Sequence, residues 1–359
     1  VRLAHDTERT GVRELASGID ALYLSGRGAL PTAVHSALDA GRREAEEADA
    51  PVPFDIGGVE FLIEPRAFGK YRYRLCHQNG LIGVTPSTTL PTLRVQPRAE
   101  LLHGEGPEQA MGFFDAVCSM LLDGPVSWSL SRLDLFCDVQ GWDLDGEQRH
   151  RFVGRATRQD LHEQSRTLTG LEFGRRTTKT VCARIYDKTL QVKEKGLDWW
   201  PEVWADRFDA AAQVLRIEFE LGRVGLKEYG VLTPEAGMAQ AGSLWRSVTS
   251  DWLSYRTPTT DSTRSRWPIA PEWSAVQNAS MAHDGIGLSR TRAGRRQGEL
   301  RLIAPPLIGY LARAGALMGC DDLTSTLAAV RVLIERDEIR RGVKFEDRIA
   351  TCVADEALR

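Results

Sequence analysis

The chain has few of the residues that would declare its chemistry outright. Its 6 cysteines, Cys76, Cys118, Cys137, Cys182, Cys320 and Cys352, stand far apart and never as CxxC. Neither a zinc site nor a disulfide framework can be read from them, and buried free thiols are expected. The 7 histidines are scattered, with no HExxH and no His-hydrophobe-His pair, so any metal must be held mostly by carboxylates. No apolar run approaches the roughly 18–20 residues that span a bilayer. The first residues, with Arg2, His5, Asp6, Glu8 and Arg9, lack the apolar stretch of a signal peptide, and a cytoplasmic location without a membrane partner is the expectation. An excess of either charge is also missing: 46 Lys and Arg against 49 Asp and Glu leave −3 over 359 residues. That balance excludes a basic protein that coats DNA and an acidic disordered chain.

What is present is the composition of a folded protein, 42% hydrophobic and 26% charged, enough for one large core or two moderate ones. Leu15, Ile19, Leu22 and Tyr23 recur at helical spacing and Arg42 to Asp49 is a charge run, so residues 1–55 read as an acidic helical leader. Strand-like alternation begins at Val59 to Ile63 and returns at Tyr71 to Leu75 and Thr92 to Val95, between turns at Gly80, Gly83, Pro86 and Pro91. A helix bearing Ala110, Phe114, Val117 and Leu121 stops at Asp123-Gly124-Pro125. The pattern continues with a strand to Val139, a polar helix from about Gly146 to Glu163, and strands at Thr167 to Phe173 and Thr180 to Lys188. A helix near Trp204 to Ala212 and a strand from Val214 to Leu221 follow. This order, with its hairpins, implies an α+β domain over 56–256, an antiparallel sheet with flanking helices. Residues 257–359 read as an Arg- and Pro-rich connector and a helical tail with Leu307, Leu311, Ala314 and Leu317 on one face.

Side chains of a strand alternate between faces, and three strands here share one pattern. Arg132, Asp134, Phe136 and Asp138 stand opposite Leu133, Leu135, Cys137 and Val139. Arg184, Tyr186 and Lys188 share a face, and Arg216, Glu218 and Glu220 oppose Ile217, Phe219 and Leu221. Carboxylates two residues apart on a sheet repel one another, so something must offset them. A divalent Mg²⁺ or Mn²⁺ is one answer, because it takes hard oxygen ligands. Arg132, Arg184 and Arg216 could instead pair with the acids or clamp a phosphate. Acids for a metal, a tyrosine hydroxyl, a lysine and arginines together suit covalent cleavage of a phosphodiester.

The set Ser131-Arg132-Leu133-Asp134-Leu135-Phe136-Cys137-Asp138, Phe173-Gly174-Arg175-Arg176, Ala183-Arg184-Ile185-Tyr186-Asp187-Lys188 and Leu215-Arg216-Ile217-Glu218-Phe219-Glu220-Leu221 resembles the replication initiation factor (Rep_trans) family. The likeness covers about Phe61 to Gly222 in order and spacing. Members start rolling-circle replication of plasmids and phages, and related relaxases nick conjugative elements. The resemblance implies that Tyr186 attacks one strand at an origin hairpin to give a 5′-phosphotyrosyl enzyme and a free 3′-hydroxyl. It implies Lys188 and Arg184 beside the reaction, and a divalent metal held by Asp134, Glu218, Glu220 and Asp138. DNA, a host helicase and a second copy of the chain are the partners it implies. The chain departs from better-known relatives in lacking a His-hydrophobe-His motif, and it has Glu172 where an aromatic residue is expected.

Charge is segregated along the chain, with 24 basic against 18 acidic residues from Arg151 to Arg301 and 6 against 11 in residues 1–60. Arg175, Arg176 and Lys179 on the turn before the Tyr186 strand, with Arg132 and Arg216, are candidate DNA contacts. Arg290, Arg292, Arg295 and Arg296 form a second basic cluster, and Trp199, Trp200 and Trp204 are core residues or stacking platforms. A site-specific nicking and joining enzyme is the leading reading. A relaxase shares its chemistry, while a hydrolytic metal nuclease or a non-catalytic origin-binding protein would be of another class.

Overall fold

The computed structural model describes residues 11–164, 167–175, 180–284 and 307–358. Where Leu15, Ile19, Leu22 and Tyr23 suggest a helix, Arg13–Arg27 forms a 15-residue strand, β1. Its register against the strand Ser127–Gln140 shifts three times, at Glu14/Ala16, Ile19/Ala21 and Tyr23/Leu24. Each shift resets the alternation of faces, so the strand imitates helical spacing.

The other strands are β2 (Val52–Ile56), β3 (Val59–Ile63), β4 (Tyr73–His77), β5 (Gly80–Val84), β6 (Leu93–Pro97), β7 (Ser127–Gln140), β8 (Phe152–Gly154), β9 (Gln159–Gln164), β10 (Thr167–Phe173), β11 (Val181–Asp187), β12 (Leu215–Gly222) and β13 (Leu253–Tyr255). Eleven of them make one sheet, in the order β2-β3-β4-β5-β6-β1-β7-β12-β11-β10-β9, with every neighbouring pair antiparallel. β13 pairs with β8 apart from it. The fold is therefore α+β on a large antiparallel sheet.

The core runs along one face of that sheet. Leu22, Val95, Ile82 and Leu75 meet helices α1 (Thr32–Ala48) and α3 (Pro107–Leu121) at one end, with Leu38, Ala45, Phe114 and Val117 buried. At the other end Leu133, Ile217, Phe219 and Ile185 join Trp245, Tyr255 and Trp273 in the same cluster. Between α1 and α3 in the chain, the short helix α2 (Ala99–Gly104) packs against β1. The opposite face carries a smaller apolar patch. There Phe136 and Val214 pack with Val192 of α4 (Lys188–Lys195) and with Trp200 and Trp204 of α5 (Trp200–Trp204). These two tryptophans are core residues, not exposed platforms.

Two further expectations change. The polar helix expected over Gly146 to Glu163 is a short turn, Gly146–Arg151, capped by the Asp145 side chain, followed by β8 and β9. The segment has no apolar helical stripe, and its backbone is satisfied by pairing with β13 and β10 instead. The helix near Trp204 to Ala212 shrinks to α5 and a single turn, Ala205–Arg207.

By contacts the chain divides into Val1–Arg290 and Thr291–Arg359. The segment after Thr257 thus begins inside the first unit, where Trp273, Val276 and Met281 are buried and the Ser280 amide donates to Glu14 at 2.8 Å. In the second unit helical residues 307–318 are followed by helices Leu323–Arg341, capped by Asp322, and Phe345–Leu358. Asp337 ties them together, accepting from Arg341 and Arg348 at 3.0 and 2.8 Å. Cys76, Cys118, Cys137 and Cys320 are free thiols, and Cys118, Cys137 and Cys182 are buried. Among the described residues no helix is long and apolar enough to cross a membrane.

Candidate active site

The sheet brings the three patterned strands together as β7, β12 and β11. Across them Asp134 faces Glu220, Asp138 faces Arg216, Glu218 faces Arg184, and Arg216 faces Tyr186. The offset to carboxylate repulsion is arginine pairing, one of the two outcomes the alternation allowed. Arg132 forks onto Asp134, its Nε 2.7 Å from Oδ1, and reaches Glu220 at 2.8 Å. Arg184 pairs with Glu218. Arg216 forks onto Asp138 at 2.7 and 2.8 Å and bonds Asp20 at 2.6 Å. Such charge-assisted forks fix geometry as well as charge.

Tyr186 points along this face, and its hydroxyl donates to Glu218 Oε2 at 3.0 Å. Glu218 thus holds Arg184 on one oxygen and the tyrosine on the other. Burial, followed by the Glu218 charge, pushes the Tyr186 hydroxyl well above its ordinary value, so the resting group is protonated. The phenol lines a cavity of about 130 Å³ with His162, Glu172 and Gln191, which places Glu172 beside the site.

Lys188 lies one residue beyond the strand, with its side chain still on the Trp200 and Arg216 side. β11 ends at Asp187, whose carboxylate accepts from the Leu190 amide at 2.9 Å and caps α4, and Lys188 becomes the first helical residue. Its ammonium donates to Gln191 at 2.7 Å and lies 4.4 Å from the centre of the Trp200 ring. Burial, with Arg216 repelling it, lowers Lys188 from 10.5 to about 8. Between these values the unfolded chain still binds a proton that the folded one has released, so this term makes stability rise with pH. The melting temperature of the wild type relative to Lys188→Met is expected to climb from pH 8 to about 10.5. A difference that stays flat over that window would refute the desolvated amine.

Two site residues give no signal in the sequence. Asp20 sits at the second register shift of β1, and His103 comes from α2. His103 Nε2 lies 3.1 Å from Asp20 Oδ1, which also accepts from Arg216. Burial favours the neutral carboxyl of Asp20, but Arg216 and His103 outweigh it and hold the group well below the carboxylate range. Burial lowers His103 in turn, so this ring is neutral at physiological pH.

Arg216, expected to meet DNA, is fully buried beneath these partners and between Phe136 and Trp200, each ring centre about 4 Å from its guanidinium carbon. It holds the site together rather than facing a ligand. Arg132 remains partly exposed and Arg175 is exposed on its turn. Arg176, Lys179, Arg290, Arg292, Arg295 and Arg296 lie outside the described residues.

A cavity of about 400 Å³ opens above the acids, with Tyr23, Arg132, Asp134, Arg184 and Glu218 in its wall. Burial, with Glu218 and Glu220 adding to it, raises Asp134 to about 8 against the pull of Arg132. Among the described residues no group of three or more His, Cys, Asp or Glu side chains is arranged to hold a metal ion. Mg²⁺ needs only one or two carboxylates when waters and phosphate oxygens complete its shell. Asp134 and Glu218 share a cavity wall, but Arg132 takes both oxygens of Asp134, and Arg184 and Tyr186 take those of Glu218, so a metal ion would have to displace an arginine. Asp138 is no freer: both its oxygens are taken by Arg216, and Trp204 donates to one of them at 2.8 Å. Glu220 is engaged by Arg132.

No family model and no curated protein matches this chain. Among solved structures it is similar to a rolling circle replication initiator protein from Geobacillus stearothermophilus, 15% identical, with 75% of this chain and 98% of that chain covered at a TM-score of 0.41.

Proposed function

We propose that this protein is a replication initiator that nicks one DNA strand at an origin and rejoins it, as in rolling-circle replication, through Tyr186. The observation that carries the reading is the hydrogen bond from the Tyr186 hydroxyl to Glu218, 3.0 Å long, inside a face of paired arginines and acids. The ordered likeness of the motifs to the replication initiation factor family supports it. Tyr186 rests protonated, so its proton must leave as the oxygen attacks, and Glu218 is placed to take it. The Tyr186 oxygen bonds to phosphorus, the bond from phosphorus to the 3′-oxygen breaks, and that oxygen takes a proton from water. In the reverse step a 3′-hydroxyl gives its proton to water as its oxygen bonds to phosphorus, the bond from phosphorus to the Tyr186 oxygen breaks, and Glu218 returns the proton to Tyr186. Arg184 and Arg132 border the cavity, where the phosphate's non-bridging oxygens gather charge. A divalent ion, the other source of positive charge beside the scissile phosphate, would have to displace Arg132 from Asp134, since Glu218 is committed to the Tyr186 proton. A covalent bond to tyrosine conserves the energy that hydrolysis would release, and this is what permits rejoining. A second copy of the chain would supply the tyrosine for the closing transfer. A conjugative relaxase would use the same residues, and only its DNA and partners would differ.

The test is direct. The protein is incubated with Mg²⁺ or Mn²⁺ and a single-stranded origin oligonucleotide, then digested with trypsin and nuclease. The peptide Ile185 to Lys188, cut after Arg184 and Lys188, is expected to carry a nucleotide on Tyr186 in the mass spectrum. Cleaved DNA with no modified peptide would point to hydrolysis and sink the covalent reading.

A further inference from the structure

The polar face that carries Tyr186 continues across β1 into β6, β5 and β4. On β4 Arg74 stands opposite Gly83 of β5, which stands opposite Arg94 of β6, which stands opposite Ser25 of β1. The glycine is required: a Cβ there would lie 2.8 Å from Phe68 and 3.0 Å from Tyr71. Those two residues close a tight hairpin over Gly83, exchanging backbone hydrogen bonds of 2.9 and 3.1 Å. The Phe68 ring sits between the flanking arginines, 4.7 Å from the Arg94 guanidinium carbon and 5.9 Å from that of Arg74. Arg27 and Arg223 add positive charge around Tyr71.

These arginines differ from those of the active site. Arg132, Arg184 and Arg216 are each held by carboxylates. Among the described residues, Arg74, Arg94 and Arg98 have no carboxylate within ion-pair distance, and Arg74 Nε is buried without a hydrogen-bond partner. The acidic helix α1 packs on the other face of the sheet, over Phe54 and Ile63, so it does not neutralise them. Arg74 and Arg98 line the same 400 Å³ cavity as Asp134, Arg184 and Glu218. The basic strip therefore leads to Arg184 and Glu218, and Arg184 also borders the 130 Å³ cavity lined by Tyr186. Cation–π contact with Phe68 holds two guanidinium groups in place and leaves their positive charge uncancelled.

We infer that the β4–β6 face is a binding channel for the sugar-phosphate backbone of the DNA strand whose phosphodiester enters the cavity, with phosphates on Arg74, Arg94 and Arg98. This deepens the nicking reading and rests on it. The channel is assigned to a single strand, the form that the nicking reading places at an origin.

Fluorescence anisotropy of the full chain with a labelled single-stranded oligonucleotide, across a salt series, tests it. The triple variant Arg74→Gln/Arg94→Gln/Arg98→Gln is expected to bind roughly 10- to 100-fold more weakly near 0.1 M salt, with a log–log salt slope shallower by about 2. The triple Lys variant, which keeps the charge, should stay within about threefold of wild type. Unchanged single-strand affinity and slope in the Gln variant would overturn the channel, even if duplex binding changed. Should the triple Gln variant melt early, Arg98→Gln alone, at an exposed position, must still lower the slope by about 0.7, and no change there overturns the inference. Adduct formation on Tyr186 is scored separately in the wild type. Its absence defeats the nicking reading, while the salt slope still decides whether these arginines hold DNA.

Discussion

Tyr186→Phe is expected to abolish the denaturant-resistant protein–DNA adduct, with strand cleavage falling at least about 10³-fold, because the only atom removed is the one that bonds to phosphorus. The ring is kept, so packing against β10 and β12 is preserved. Glu218 loses the hydrogen bond at 3.0 Å but keeps Arg184, so the carboxylate is not stranded. The stability cost is that of one hydrogen bond to a charged acceptor, about 1.5–3 kcal/mol at most. Gel shift under denaturing conditions reads the adduct and anisotropy reads binding. Cleavage that persists in Tyr186→Phe would identify a hydrolytic nuclease in which the tyrosine is structural. Binding without cleavage in the wild type, at any metal concentration, would identify an origin-binding protein.

The second large effect is on folding. Arg216→Met removes a guanidinium that is 0% exposed and that bridges Asp138 and Asp20. The methionine can still lie between Phe136 and Trp200, so the loss is one of charge more than of volume. Two carboxylates are left facing a desolvated site, and the expected destabilisation is about 3–5 kcal/mol in urea unfolding. Its pH dependence has a definite sign. Without Arg216, burial, the largest influence on Asp20, is opposed only by His103 and Lys188; where burial prevails, the folded variant binds the extra proton and its stability falls as pH rises. The deficit against wild type should therefore be smaller at pH 5 than at pH 7. The double variant Arg216→Met/Asp138→Leu should regain part of the loss, because it removes the stranded charge as well. A single variant that unfolds like wild type would show that the network contributes nothing net.

Much of the site was legible because strand alternation is a strict code within a regular strand. β7, β11 and β12 pair without a register shift, so the positions of Asp134, Glu218, Arg184 and Tyr186 on one face follow from counting by twos. The code failed where the chain leaves regularity. In β1 three shifts hid a central strand, and with it Asp20. At the end of β11 the count runs one residue past the Asp187 cap into a helix, yet Lys188 still stands over Trp200 beside Arg216. His103 and Arg216 illustrate a third limit. Pairing partners 83 and 196 residues away from Asp20 leave no local trace, and nothing in Leu215-Arg216-Ile217 states that the arginine is enclosed. The basic strip on β4 to β6 was hidden by averaging, since an acidic segment precedes it and only the sheet puts the two charges on opposite faces.

Glu218 shares its two oxygens between Arg184 and Tyr186, and this makes the proton and the guanidinium interdependent. In the proposed reaction the carboxylate becomes neutral when it accepts the tyrosine proton, and its hold on Arg184 slackens at that moment. The phosphate is then gathering the negative charge that Glu218 has given up. Arg184 can therefore follow the charge from carboxylate to phosphate without changing strand or crossing the cavity, a relay in which the movement of one proton switches on an electrostatic grip.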